Sequence, residues 1–563
     1  MTFIKDVHQV PDAGWQGELR QRNAWRGFVA QHPQWVVEFN EASGMPHRAF
    51  GPPIATSGST SEQRAMSFIT NDLAALAIPV QELVPMSSAP AKKVTYVHYA
   101  QRHEGLSVLG AHVMVKLDAQ GSVIAFGAEA FDVSAVDVQP MVGAATAAGA
   151  ASEGLPGVSS TVDEGLRILP VPNGHEMDAR LVHEVTVHTS IGTPGRYQCW
   201  VDAHTGALLY RKDLVVNERE QGDGGDDAAD VQVNGSVYTD GALGPLTVEG
   251  LPDLQTTINS TDFYADANGF LPTGLTGPVS ATFKLRGRWS ITTTNGANPS
   301  FTTTLNEGSN TADFDTHANV RERTAYYHVS RIHNHGNAVL PGFDGMDMAL
   351  PTHVDVSTAT DSCNAYYDGA SINFYAQTPG CRALSLYGDV IYHEYGHGIN
   401  ATYYQSLGSN FSNSAMNEAY ADVWALTLTE NPVMTLGWKI GFPDSYIRRY
   451  DQAPKVYPID LIGEPHTDGQ IIAGAWWDTY RLLGWDMPTT LQLFGDALGG
   501  LQATAADGME GQAYRDVLLD VLQADDDDGN IANGTPHGLV IVEAFAIHGI
   551  TLLSNAQFVH TPV

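Results

Sequence analysis

The residues whose types and spacing can do chemistry lie together in the second half of the chain. Residues 393–397, HEYGH, match the H-E-x-x-H pattern within a segment, 386–403, that we predict to be one helix. Side chains at positions i and i+4 lie above one another on a helix, so His393 and His397 can both reach a single zinc ion. Glu394 lies beside them and is placed to take a proton from metal-bound water. The pattern therefore predicts a zinc site that has its own general base.

A catalytic zinc site has three protein ligands and one open position, so a third ligand is needed. The segment 413–430, NSAMNEAYADVWALTLTE, is helix-like and carries Glu418 and Asp422 at i and i+4. Glu418 follows His397 by 418 − 397 = 21 positions, which is enough for one turn-back connection to a second helix. We expect Glu418 to be the third ligand and Asp422 to accept a hydrogen bond from the far nitrogen of a ligand histidine. The alternative for this pair is a solvated helix face.

HEYGH followed by NEAYAD resembles the Glu-zincin metallopeptidases, specifically the thermolysin and fungalysin families, over about residues 318–548. The resemblance implies that Asn364 and Ala365, an Asn-Ala pair before the active helix, hold substrate backbone at an edge strand. It also implies that Asn417 and Asp422 support the zinc ligands from behind.

Two residues further downstream match the same families. His466, just before a helix-like run, matches the histidine that donates a hydrogen bond to the oxyanion of the tetrahedral intermediate. Arg448 resembles the arginine that contacts a substrate carbonyl, and Arg449 is nearly as good a candidate. The order Asn-Ala, HExxH, NExxxD, arginine and histidine is specific to this group.

The first third of the chain carries a resemblance of its own. Residues 99–123 resemble the fungalysin/thermolysin propeptide motif, and residues 197–215 resemble the end of a PepSY-type domain. Both accompany such enzymes as inhibitors and folding aids, so the chain's own propeptide is the expected intramolecular inhibitor. The segment 217–230, NEREQGDGGDDAAD, is rich in Gly and Asp and is the predicted linker and processing region.

The fold class expected from these patterns is α+β and multidomain. An α+β propeptide is predicted for residues 1–216, and a small β-sandwich-like module for 231–305. A two-lobed, thermolysin-like catalytic domain with a mainly helical C-terminal lobe is predicted for 306–563. Several domains are expected because 563 residues exceed what one hydrophobic core supports.

Calcium is the second cofactor that the sequence suggests, at two places. The resemblance implies a calcium ligand at Asp389, although Lys439 stands where a further carboxylate of that site is expected. In residues 524–537, ADDDDGNIANGTPH, Asp526 and Asp528 fit the third and fifth positions of an EF-hand loop, but the first position is an alanine and the twelfth a threonine. An acidic turn that ends a helix is the alternative there.

The chain has three cysteines. Cys363 and Cys381 are 381 − 363 = 18 positions apart, and in an oxidising compartment they can form a disulfide. Closing that loop stabilises the fold by about 3 kcal/mol in the chain-entropy treatment. Two reduced, buried thiols are the alternative. Strand alternation puts Cys199 on one face with Tyr197 and Val201, which predicts a buried core position.

The charge balance limits the partners of the chain. With 63 acidic and 29 basic residues the formal net charge is −34, which disfavours nucleic acid and anionic membranes as partners. No stretch approaches the roughly 18 uninterrupted apolar residues that a membrane helix needs. The first residues lack an apolar signal region, so we expect that any secretion signal has been removed or replaced.

Together these observations predict a secreted zinc endopeptidase, written as a propeptide-inhibited zymogen, that cleaves protein and peptide substrates. We expect it to be a monomer. Two alternatives remain, a zinc aminopeptidase with the same core and a non-enzymatic, metal-stabilised adhesion or matrix protein. Against an aminopeptidase, the sequence shows no acidic motif upstream that would hold a substrate amino group. Against a matrix protein, Glu394 would have no role, because a structural zinc site needs no base.

Overall fold

The structure is a computed structural model of the chain. It describes residues 11–91, 93–155, 157–173, 175–189, 195–213, 231–272, 278–357 and 362–552. The predicted linker and processing region at 217–230 lies outside the described residues. Two compact units are present. The first comprises Met1–Leu214, Tyr404–Asn417 and Lys455–Val563, and the second comprises Val215–Tyr403 and Glu418–Pro454.

The N-terminal part of the first unit is one ten-stranded sheet with helices beside it. The described helices there are α1 (Ala13–Gln21), α2 (Asn23–Gln31), α3 (Ser61–Asn71) and α4 (Ala144–Ser152). The described strands are β1 (Val36–Phe39), β2 (Pro46–Ile54), β3 (Leu83–Ala91), β4 (Val94–His103), β5 (Leu106–Asp118), β6 (Val123–Glu129), β7 (Val158–Asn173), β8 (Glu176–Thr189), β9 (Gly195–Asp202) and β10 (Leu208–Asp213). Their order is β1-β2-β6-β5-β7-β8-β9-β10, and β4 pairs with β3 and β5 off that path.

Local sequence accounts for the hairpins and the core of this sheet. The β4–β5 hairpin turns at Glu104 and Gly105, whose φ angles are 48° and 85°, and glycine adopts such a positive value at little cost. Helices α2 and α3 cover one face with an aromatic cluster, in which the Phe126 ring lies 5.6 Å from Phe28 and 5.3 Å from Phe68. Edge-on aromatic contacts of this kind add to the hydrophobic burial.

Cys199 lies in a second, smaller core. It is fully buried on β9 and shares a hydrophobic cluster with Ala147 and Ala151 of α4 and with Val185 of β8. The small alanine side chains let the helix pack closely on the strands. The predicted core position of this thiol is therefore confirmed.

The second unit contains two larger sheets, a strand pair and three long helices among its described residues. The strands are β11 (Val231–Tyr238), β12 (Leu246–Gly250), β13 (Leu254–Ile258), β14 (Thr261–Tyr264), β15 (Phe270–Leu271), β16 (Val279–Gly287), β17 (Ser290–Thr294), β18 (Ser300–Leu305), β19 (Asn310–Asp313), β20 (Leu350–Val356), β21 (Ala365–Tyr367), β22 (Ile372–Tyr375), β23 (Val433–Met434) and β24 (Arg448–Arg449). The helices are α5 (Val320–Val339), α6 (Gly388–Ser406) and α7 (Ser414–Thr429), although α6 ends and α7 begins in residues assigned to the first unit.

One sheet of the second unit crosses the boundary that we expected at residue 305. Its order is β14-β13-β16-β17-β20-β22-β21, with β18 beside β16. Strand β17 pairs in parallel with β20, from Ser290 opposite Leu350 to Thr294 opposite Val354. Parallel strands require a long crossover, and here the crossover contains α5, which packs on both strands. The β-rich region before residue 305 is thus continuous with the sheet of the predicted catalytic domain.

The C-terminal part of the first unit is helical, as predicted. Its described helices are α8 (Pro465–Leu482), α9 (Met487–Leu498), α10 (Glu510–Asp525) and α11 (Gly538–Ile547). Short 3-10 turns elsewhere in the described residues are Ala74–Leu76, Val80–Glu82, Leu384–Leu386, Gln502–Thr504 and Ile531–Asn533. Of the helices in the described parts of the chain, none is long and apolar enough to cross a membrane.

Charged side chains join α10 to the N-terminal sheet inside the first unit. Lys116 of β5 is fully buried and places Nζ 3.3 Å from Oδ1 of Asp520. His47 of β2 lies between Asp516 and Glu129, at 2.9 and 3.0 Å from their carboxylates. A buried charge is tolerated only when partner charges and hydrogen bonds replace water, so these ion pairs fix how α10 lies on the sheet.

We predict that Lys116→Met lowers the free energy of unfolding of the first unit by about 3 kcal/mol, because it removes the cation that contacts the buried Asp520 carboxylate. The double variant Lys116→Met/Asp520→Asn removes that charge and keeps an oxygen for the hydrogen bond from Gln502. It should recover at least half of the loss in a urea titration. Equal stability of the single and double variants would contradict the assignment.

The pH dependence of the same unit gives a second prediction. Burial acts to lower the pKa of His47, but Asp516 and Glu129 outweigh it and raise the pKa from 6.5 to about 9. A raised histidine pKa stabilises the folded state fully below pH 6.5 and loses that effect as the pH rises through about 9. We expect unfolding free energy to fall by ~3 kcal/mol across this window. The His47→Gln variant should show a flatter profile, and an identical profile would refute the prediction.

Candidate metal centre

Helices α6 and α7 bring the predicted ligands together because they approach closely at a glycine. Helix α6 carries His393, Glu394 and His397, with Gly396 between the histidines. A Cβ added at Gly396 would lie 3.0 Å from Cδ1 of Trp424 on α7, closer than nearly all real Cβ contacts. The absence of a side chain at this position therefore lets α7 lie directly against the helix that carries the histidines.

Three ligand atoms converge where the two helices meet. One ligand atom from each of His393, His397 and Glu418 lies within 4.8 Å of the others. Nε2 of His393 is 3.2 Å from Oε2 of Glu418, and Nε2 of His397 is 3.7 Å from Oε1. Ligands at 2.0–2.1 Å from a tetrahedral ion are separated by roughly 3.3 Å, so the donor set fits an ion of that size. The structure thus brings together the three residues that the spacing predicted.

Asp422 orients the first of these histidines from behind. Its Oδ1 is 2.6 Å from Nδ1 of His393, so the Nδ1–H donates to the carboxylate and Nε2 faces Glu418. Arg448 donates to both carboxylate oxygens at 2.5 and 2.6 Å, and the Tyr450 hydroxyl donates to Oδ2. Asp422 is only 2% exposed, so these contacts replace its water entirely.

The electrostatics of the centre follow from this arrangement. Burial acts to raise the pKa of Asp422, but Arg448 and His393 outweigh it and hold this pKa at about 2. Burial acts to lower the pKa of His393, but Asp422 raises it to about 10. Asp422 is therefore ionised at neutral pH, and a metal ion that binds Nε2 of His393 displaces a proton.

Two contacts of this centre differ from what the sequence indicated. Arg448, expected at a substrate carbonyl, directs Nε and Nη2 to Asp422, and its contact with substrate stays a prediction. Arg449 instead pairs with the exposed Asp451. Tyr450 was not identified from the sequence. Tyr450 lies two positions after Arg448, and residues two apart in an extended segment share one face. That alternation could have indicated Tyr450 from the sequence.

Asn364 and Ala365 lie at an edge strand. Strand β21 ends the sheet order and, among the described residues, pairs only with β22, where Ala365 lies opposite Phe374. The carbonyl of Asn364 accepts a hydrogen bond from the Tyr375 N–H at 3.1 Å. Immediately before this strand, Cys363 forms the predicted disulfide with Cys381, which is confirmed with a Cα–Cα distance of 5.7 Å.

Three further predicted residues, His466, Asn417 and Asp389, are not among the three converging ligands. His466 belongs to the first unit, in the first turn of α8, with a side chain 57% exposed and Nδ1 2.7 Å from Glu464. Asn417 precedes Glu418 on α7 and is half-buried. The buried Asp389 accepts hydrogen bonds from the backbone N–H groups of Val390 and Thr435, at 2.7 and 2.6 Å.

Calcium binding at Asp389 and at Asp526 and Asp528 stays a prediction. Asp389 belongs to none of the groups of three metal-capable residues found in the described part of the chain. Its contacts are those of an aspartate that stabilises a helix N-terminus. Asp526 and Asp528, with Asp527, form a second such group.

The sequence matches two family models. Residues 244–401 match the thermolysin metallopeptidase catalytic domain, a range that includes HEYGH and ends before Glu418. Residues 87–130 match the fungalysin/thermolysin propeptide motif. The predicted resemblance is confirmed over these two ranges, so the chain carries a metallopeptidase domain behind a propeptide motif, whereas the resemblance of residues 197–215 to a PepSY-type domain stays a prediction.

Individual proteins are less similar to this chain than the family models are. No curated protein matches the sequence significantly. A solved precursor of protealysin, a metalloproteinase from Serratia proteamaculans, is 15% identical, with 47% of this chain and 86% of that chain covered and a TM-score of 0.34. The Bacillus megaterium YpeB C-terminal domain is 16% identical, with 36% and 98% covered and a TM-score of 0.19.

We predict that Asp422→Asn lowers metal affinity about 10- to 100-fold, because His393 loses the acceptor that fixes its tautomer. Tyr450→Phe removes one hydrogen bond and should cost less. Asp451→Asn, beside the neighbouring arginine, is the matched control and should bind like the unaltered chain. Competition with a chromophoric chelator measures all four affinities, and an unchanged value for Asp422→Asn would exclude the orienting role.

Proposed function

We propose that this chain, which carries a thermolysin-type metallopeptidase catalytic domain behind a fungalysin/thermolysin propeptide motif, is the zymogen of a secreted zinc endopeptidase. The convergence of His393, His397 and Glu418 next to Glu394 is the observation that carries the proposal. Secretion is supported by the Cys363–Cys381 disulfide, because disulfides persist in oxidising compartments.

Zinc is the metal that suits this donor set best. Two imidazole nitrogens and one carboxylate oxygen are a donor set of catalytic zinc sites that leave one position open. Bound zinc supplies a Lewis acid that makes water nucleophilic near neutral pH. Asp422 holds the Nδ1–H of His393, so Nε2 is the nitrogen presented to the metal.

Glu394 is the proposed general base. It lies one residue after His393 on α6 and is 6% exposed, so its carboxylate is held in a largely dry environment. In that position it takes the proton from the attacking water and then gives it to the leaving amine. A metal site with a purely structural role has no use for such a residue.

Substrate binding is proposed at the edge strand β21. An edge strand presents unpaired N–H and C=O groups, which an extended peptide can pair with as an added strand. Ala365 begins this strand and Asn364 directly precedes it, so they would align the peptide on either side of the bond to be cut. Binding along backbone rather than at a terminus favours endopeptidase action. His466 is the proposed hydrogen-bond donor to the oxyanion.

Activation is proposed to follow cleavage of the chain in residues 217–230, after the propeptide of residues 1–216. Gly- and Asp-rich segments of this kind are preferred sites of proteolytic nicking. A mature N-terminus found before residue 200 would exclude this processing region. Neither alternative function, aminopeptidase or matrix protein, gains support from a family match.

We predict that Glu394→Gln lowers kcat/KM for casein about 1,000-fold while metal binding persists, because the base is lost but the ligands are kept. Glu307→Gln, at an exposed glutamate of the same unit, is the matched control and should keep full activity. Casein cleavage and metal content are measured on the same preparations. A Glu394→Gln chain that retains a tenth of the activity would exclude this residue as the base.

A further inference from the structure

A loop with three consecutive aspartates lies in the first unit, immediately after α10. One carboxylate oxygen from each of Asp526, Asp527 and Asp528 lies within 4.8 Å of the others. Asp527 and Asp528 are exposed, whereas Asp526 is 4% exposed. Three carboxylates at this spacing repel one another unless a cation lies among them.

The buried member of this group, Asp526, is only partly compensated, because its Oδ1 accepts a single long hydrogen bond, 3.4 Å, from the Asp528 N–H. Oδ2 of Asp526 is buried and has no hydrogen-bond partner among the described residues. No lysine, arginine or histidine of the described chain forms an ion pair with this carboxylate. Lys93 donates to the backbone carbonyl of Asp526, at 2.9 Å. An ionised carboxylate in this position costs several kcal/mol unless a positive charge meets it.

A second oxygen in the same turn is also unsatisfied. Oδ1 of Asn530 is buried without a partner in the described structure. The two atoms belong to side chains four positions apart, with Asp528 midway between them. An amide oxygen and carboxylate oxygens are the ligands that calcium prefers, and no nitrogen or sulfur donor belongs to the group.

In a register different from the one the sequence first suggested, these side chains fit the first ligand positions of a calcium loop, whereas positions six and twelve are Ile531 and His537 instead of glycine and glutamate. Counted from Asp526, the side chains of Asp526, Asp528 and Asn530 fall at positions one, three and five of a D-x-D-x-N segment. Those positions supply the first side-chain ligands of calcium loops. The two unsatisfied atoms therefore occupy ligand positions one and five.

We propose that the loop Asp526–Asn530 binds one calcium ion through oxygens of Asp526, Asp528 and Asn530. The ion supplies the positive charge that the buried carboxylate lacks, and water completes its shell on the exposed side. Asp118, at the end of β5 in the N-terminal sheet, adds negative charge nearby, with Oδ2 3.5 Å from where a Cβ of Gly529 would lie. The site belongs to the first unit and does not depend on the zinc chemistry proposed above.

The test compares thermal unfolding in calcium-free buffer and in 10 mM calcium chloride, on the full chain carrying Glu394→Gln to prevent self-cleavage. Calcium at about 10–100 times its dissociation constant should raise the Tm by roughly 3 °C or more. Added Asp526→Asn should abolish that rise and, without calcium, should be at least as stable as the parent. Asn530→Ala should reduce the rise, and Asp444→Asn, an exposed aspartate elsewhere, should leave it unchanged.

Two outcomes would overturn the proposal. One is a calcium-dependent rise that Asp526→Asn and Asn530→Ala both retain, because the ion then binds elsewhere. The other is an Asp526→Asn chain that is less stable by the same amount with and without calcium, which is the behaviour of a purely structural aspartate. Equilibrium dialysis against radioactive calcium gives an independent readout, in which Asp526→Asn should lose one bound ion per chain.

Discussion

The candidate metal centre depends on the hydrogen bonds that the carboxylate of Asp422 accepts. This carboxylate accepts hydrogen bonds from His393 on α6, from Arg448 on β24 and from Tyr450 just beyond, and so joins α7 to α6 and to the segment 448–450. Because one nitrogen of His393 is committed to this carboxylate, the other is left for the metal. The pKa of Asp422, held at about 2 by Arg448 and His393 despite burial, keeps this acceptor ionised throughout the neutral range.

The sequence predicted the parts of this site that are local in the chain. Histidines four apart and a glutamate on the next helix need only helical periodicity and one turn, so His393, His397 and Glu418 were found by spacing. The contacts of Arg448 and Tyr450 were not found in this way. They join segments 448 − 422 = 26 positions apart through a loop whose path no periodicity determines. A strand pair as short as β23–β24 shows little recognisable sequence pattern, so the side chains that it holds are hard to identify from the sequence.

In the fold, too, features that are local in the chain were predictable, whereas contacts between distant segments were not. The helices that carry the metal ligands and the buried face of β9 followed from periodicity and alternation, whereas the parallel pairing of β17 with β20 did not. The ion pair of Lys116 with Asp520 joins residues 520 − 116 = 404 positions apart, so neither residue's sequence neighbours reveal the other. Asn530 was not among the residues that the sequence suggested for calcium. The burial of its Oδ1 without a partner, which only the structure provides, brings it into the proposed loop.

The zinc centre proposed between α6 and α7 should cleave peptide bonds once the propeptide is cut away. A time course on the zinc-loaded full chain with casein, analysed by intact mass and N-terminal sequencing, is the measurement that tests this function. Casein cleavage is expected to begin as a new N-terminus appears within residues 217–230, and a zinc chelator is expected to stop it. Full activity from the uncut chain, or an inactive zinc-loaded chain after cleavage at that segment, would exclude the proposed zymogen.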